Sequence, residues 1–105
     1  MGLDNTIALS PSQMPAWPAL AERLTAVGVP CQLRMIDGEL AFPDETPPDD
    51  WRELRLGTAH GIITMRREAD GVRLVIWGNA EPELLLDRDR IAGVLGESTQ
   101  GARGP

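Results

Sequence analysis

At 105 residues the chain has the length of one domain, and 42% hydrophobic with 25% charged content is ordinary for a globular protein. Ten basic residues, all arginine, stand against sixteen acidic ones, giving a net charge of −6. Phosphate backbones and anionic membranes are not attracted to such a chain, and without lysine there is no Schiff-base or P-loop chemistry.

The single cysteine, Cys31, excludes an intramolecular disulfide and suits a reducing compartment, so a cytoplasmic setting is expected. The opening MGLDNTIALS lacks the basic and apolar regions of a secretory signal. It matches the Met-Gly-x-x-x-Thr acylation pattern through Gly2 and Thr6, but no polybasic segment supplies a second anchor. Residues 1–12 are expected as a flexible arm of a single domain.

The first helix is announced by Ser10-Pro11-Ser12-Gln13, a capping box with proline at the first helical position. Pro15 and Pro18 push its regular part to begin between those residues. Trp17, Leu20, Leu24 and Val27 then form one apolar stripe, which Gly28 ends. Cys31, Leu33 and Met35 alternate with polar residues, and Asp37-Gly38 is a two-residue hairpin signal. That turn pairs Met35 with Leu40 and Leu33 with Phe42, which would put all four on one face.

The acidic stretch FPDETPPDD follows, with Asp44, Glu45, Asp49 and Asp50 among three prolines and just ahead of Trp51. Three readings compete: a stiff solvated connector, a contact for a basic protein partner, and a hard-oxygen metal site. The EF-hand spacing is absent and the prolines hold the carboxylates apart, so no metal is expected and the connector reading takes precedence. Trp51, placed by strand parity on the face of Glu53 and Arg55, keeps the partner reading open, since a tryptophan beside carboxylates resembles an interface anchor, unless it packs beneath its own loop or under Trp77.

Leu54 and Leu56 mark a further strand, with Glu53 and Arg55 on its other face. The turn GTAHG carries His60, the only histidine. As a general base it would need an orienting carboxylate and a nucleophile, Thr58, Thr64 or Cys31. A second Asp-Gly turn at 70–71 sets Glu68 opposite Arg73 and aligns Ile63 and Met65 with Leu74 and Ile76. Ile62, Val75 and Trp77 fall on the opposite face, so the last strand is apolar on both sides and should be central or covered on both faces.

A final helix runs from Glu81 or Pro82 to Leu95, stopped by Gly96, with residues 97–105 as a tail. Its stripe of Leu84, Ile91 and Leu95 is interrupted by Asp87-Arg88-Asp89-Arg90, one of which must face inward. The expected solution is Arg88 with its stem over the sheet; the alternatives are a helix break near residue 87, and the Arg88 guanidinium meeting a carboxylate in a ligand pocket or dimer contact.

The fold expected is α+β: a five-stranded, mostly antiparallel sheet with both helices on one face, in the order α-β-β-β-β-β-α. The expected function is that of a small non-enzymatic interaction module needing no cofactor, with a protein partner, basic by charge complementarity. The alternatives are a ligand-binding or enzymatic domain using His60 and Arg88, and a homodimer that buries Ile62, Val75 and Trp77 against a second copy.

Overall fold

The computed structural model describes residues 5–9, 14–42, 44–69, 71–76 and 81–103. In chain order these form β1 (Asn5–Ala8), α1 (Trp17–Ala26), β2 (Gln32–Ile36), β3 (Glu39–Leu40), β4 (Glu53–Thr58), β5 (Gly61–Glu68), β6 (Gly71–Val75) and α2 (Pro82–Arg103). The strands make one antiparallel sheet in the order β1-β6-β5-β4-β2-β3. The class is α+β as expected, with six strands rather than five. The added strand, β1, comes from the stretch expected as an arm and pairs with β6 at the sheet edge. Its close approach explains Gly71, where a Cβ would run into the Ile7 carbonyl.

The predicted capping box at 10–13 lies outside the described residues. Helix α1 starts at Trp17 with Pro18 in its first turn, where no backbone donor is lost, and Ala16 supplies no side-chain cap. Trp17, Leu20 and Leu24 are buried, but Val27 is the C-cap and exposed, so the stripe ends one turn early. Gly28 has φ +87°, the left-handed stop its type predicts.

The β2–β3 hairpin turns at Asp37 (φ 51°) and Gly38 (φ 86°), both left-handed as a type I′ turn requires. Asp37 also ties this hairpin to β4, because its Oδ1 accepts the N–H groups of Arg52 at 2.7 Å and Glu53 at 2.9 Å. Met35 pairs with Leu40 as read from the sequence. The common face for all four apolar residues does not survive. The β2–β4 register shifts between Leu33 and Met35, a bulge, so Leu33 pairs with Leu56 while Met35 pairs with Arg55. One extra residue reverses the alternation. Leu33 is fully buried in the core, whereas Leu40 and Phe42 are exposed.

Strand β4, whose place was open from the sequence, lies between β2 and β5. Strand β6 is interior, as its two apolar faces predict. Its register has Glu68 opposite Gly71 and Arg66 opposite Arg73, so the predicted Glu68–Arg73 pairing is displaced by two residues. The displacement is even, so the face assignments of the described residues hold. The Arg73 guanidinium still reaches Glu68 diagonally at 3.0 Å.

Helix α2 runs through Gly96 to Arg103, longer than read, and its backbone packs along β1 and α1. Arg23 Nη2 donates to the Val94 carbonyl at 3.1 Å, fastening the two helices. Leu20 and Leu24 of α1, Leu84, Ile91 and Leu95 of α2, and Leu33, Leu54, Leu56, Ile63, Met65 and Leu74 of the sheet form one core. The helices therefore cover one sheet face, and the other carries the site described next. No helix among the described residues is long and apolar enough to cross a membrane.

Candidate functional site

The helix-free face begins with the bulge. It places the Arg34 side chain over Gly57, where a Cβ would meet the arginine Nε and Cγ, so glycine leaves room for the guanidinium stem. Among the described residues Arg34 makes no side-chain hydrogen bond or ion pair. Beside it on β4, Arg55 has its Nε out of solvent without a hydrogen-bond partner, 3.9 Å from Glu53 Oε1. Glu53 is held more closely by Arg66 at 2.8 Å.

These two arginines, with Met35, Leu40, Phe42 and Ile62, line an open groove of about 640 Å³. Leu40 is 89% exposed, Phe42 75% and Ile62 42%. The same face is closed further along: Val75 and Thr64 are buried, with Arg55, Arg66 and Arg73 their neighbours by register. Val75 is therefore covered within the chain, while Ile62 stays exposed. Trp77, assigned to this face from parity, lies outside the described residues.

His60 and Asp87 form a second constellation. The β4–β5 turn projects His60 toward α2, where Nδ1 donates to Asp87 Oδ2 at 2.8 Å. Asp87 is buried and His60 exposed. Asp87, not Arg88, is thus the inward member of the four-charge run, because a carboxylate on that stripe finds a donor on the hairpin tip. Arg88 instead bonds its neighbour Asp89 at 3.1 Å.

An aspartate on His Nδ1 is the orienting half of a general-base arrangement, leaving Nε2 for a proton. The nucleophile half is not assembled. Thr58 Oγ1 donates to the Gly61 carbonyl at 3.2 Å and accepts from the His60 N–H at 3.1 Å. Thr64 lies on the opposite sheet face, toward the groove. The Cys31 thiol donates to the Val29 carbonyl at 3.3 Å, and burial, with the Asp87 charge adding to it, pushes its pKa up to about 12. Cys31 is therefore a thiol at neutral pH and not an activated nucleophile. The geometry is that of a latch between turn and helix.

The acidic stretch is an ordered connector. Glu45 Oε1 accepts the Phe42 N–H at 3.2 Å, and the Glu45 N–H donates to the Phe42 carbonyl at 3.0 Å. Pro47 is buried, the Trp51 N–H donates to the Pro48 carbonyl, and Arg67 Nη2 donates to the Asp49 carbonyl at 2.6 Å. Arg67 also stacks over Trp51, its guanidinium carbon 4.3 Å from the ring centroid. Trp51 is only 2% exposed, so it anchors its own loop and is not an outward partner anchor. Strand parity misplaced it because β4 begins only at Glu53.

Asp44, Asp49 and Asp50 are exposed, and no group of three acidic, histidine or cysteine residues among the described ones could hold a metal ion. Among the described site residues predicted from the sequence, Trp51 and the Asp49 backbone are brought together through Arg67. The groove was missed entirely: no glycine or proline marks the bulge at Arg34, and without the bulge Leu40 and Phe42 read as core. No known protein family, curated protein or solved structure matches the chain.

Proposed function

We propose that the chain is a non-enzymatic protein-interaction module whose contact surface is the helix-free sheet face around Leu40 and Phe42. The observation that supports it is the exposure of Leu40, Phe42 and Ile62 about one groove, while most other large apolar residues among those described fill a closed core. Contiguous exposed apolar side chains with a polar rim mark contact surfaces, and aromatic and arginine side chains are the types concentrated at interface centres. The basic partner read from the net charge suits the acidic connector, whereas Arg34 and Arg55 favour carboxylates beside apolar side chains at the groove. A reducing, cytoplasmic setting is in keeping with one unpaired thiol.

The test compares affinity capture by tagged wild type, Leu40→Asp and Phe42→Asp, each shown to be folded by circular dichroism. A protein retained by wild type and lost by both variants supports the assignment. Equal recovery by all three refutes it, and loss only on exchanging Asp44, Asp49 and Asp50 for asparagine moves the contact to the connector.

A further inference from the structure

The groove and the connector together form a pattern of charge that is complementary to itself. Across the sheet, Arg55 on β4 and Arg34 on the β2 bulge come first. Leu40 and Phe42 follow at the outermost strand, and Asp44 and Glu45 lie beyond them in the chain. Glu45 is fixed at Phe42 by its hydrogen bond to that backbone. Arginine thus lines the groove from β4 and β2, and carboxylates follow the apolar pair in the chain, with Glu45 held against Phe42. A two-fold rotation about the apolar pair brings the arginines of one copy to the carboxylates of the other, the condition an isologous interface must meet.

We propose that a second copy of this chain occupies the groove, with Leu40 and Phe42 of each copy packed against the other. Arg34 of each copy then faces Asp44 of its mate. This rests on the open face being the contact surface and adds the identity of the partner.

Addition of a long foreign strand fits the edge less well. Ala41 N–H donates to the Arg34 carbonyl, so within the ladder Leu40 turns its own polar groups outward. Phe42, the next outward-facing residue, spends its N–H and carbonyl on Glu45. Only one residue of open edge remains, a blunted template for strand pairing. Side chains must then supply the contact, and these are apolar with both signs of charge beside them.

Sedimentation velocity over a concentration series tests the proposal with four samples besides wild type: Phe42→Asp, Arg34→Glu, Asp44→Arg, and an equimolar mixture of the last two. All three positions are exposed or outside the core, and circular dichroism confirms each fold. Wild type is expected to dimerise, and each single variant to raise the dissociation constant about ten-fold or more. The mixture is expected to recover wild-type association. In that heterodimer both contacts are matched: the glutamate introduced at position 34 meets the arginine introduced at position 44, and native Arg34 meets native Asp44.

A wild type monomeric at about 0.5 mM overturns the proposal, since even weak self-association at millimolar affinity shows there. If Phe42→Asp nevertheless loses a captured heterologous protein, the open face keeps its function and only the self-pairing is wrong. A wild-type dimer indifferent to Phe42→Asp overturns the self-pairing, and unchanged capture of other proteins by that variant overturns the open-face reading as well. A mixture no tighter than the single variants overturns the two-fold charge pairing.

Discussion

His60 Nδ1 lies 2.8 Å from Asp87 Oδ2, joining the tip of the β4–β5 hairpin to a helix residue that would otherwise be a carboxylate stranded on an apolar stripe. The pair is asymmetric, with the Asp87 side chain 6% exposed and that of His60 42%. Removing the histidine leaves a buried acceptor without its donor, whereas removing the aspartate leaves a histidine that water can serve. His60→Ala is therefore expected to cost about 1–3 kcal/mol, and Asp87→Leu, which restores the apolar stripe, to cost less or to stabilise. Urea unfolding of both variants decides the order. If Asp87→Leu is the more damaging, the pair is more than a latch, and His60 should be re-examined as a base.

Cys31 gives a pH prediction. Burial, and secondarily the Asp87 charge, raise its folded pKa to about 12 from an unfolded value of 9.0. A pKa raised on folding means that the native state resists deprotonation. The stability it supports is intact below pH 9.0 and declines as pH rises from there toward about 12. Iodoacetamide should label the native thiol slowly at pH 8 and the urea-unfolded thiol readily. Cys31→Ala should flatten the alkaline fall in stability. Rapid native labelling at pH 8 would contradict the burial.

Two glycines separate close approach from backbone entropy. At Gly71 a Cβ would strike the backbone of β1, which cannot move without losing its pairing to β6. Gly71→Ala should cost about 1–3 kcal/mol and raise amide exchange along Asn5–Ala8. At Gly93, inside α2, a Cβ meets nothing within 4 Å. Gly93→Ala should stabilise by about 0.4–1 kcal/mol through the unfolded chain, read as a rise in Tm.

Asp49 serves the connector through its backbone carbonyl, not its carboxylate. Asp49→Asn should leave stability within about 0.5 kcal/mol of wild type. Arg67→Ala loses the hydrogen bond to that carbonyl and the stacking on Trp51, and should cost about 2 kcal/mol. Loss of stability from neutralising Asp49 alone would restore a structural role to the acidic charge. Chemical denaturation with Trp fluorescence reads both.

Much of the fold was legible because local and long-range signals agree. Asp37-Gly38 specified its turn, the Trp17, Leu20 and Leu24 spacing specified a buried helix face, and the doubly apolar β6 specified an interior strand. What was not legible depended on contacts between distant segments. The β1 strand forms because β6 offers an edge with Gly71 small enough to admit it. The inward carboxylate at residue 87 was hidden because its partner lies 27 residues earlier, and arginine is the usual residue to lay a long stem over a sheet. The groove depends on a bulge without a signature residue. That one residue turns Leu40 and Phe42 from core into surface.

The central claim, that contact with other proteins runs through Leu40 and Phe42, is tested most directly by placing a photo-crosslinking amino acid at position 42, and separately at positions 50 and 60, in the chain expressed in its source cells. Protein adducts, whether to a second copy or to another protein, are expected at 42 and not at 50 or 60. Adducts at 50 or 60 with none at 42 would contradict the account.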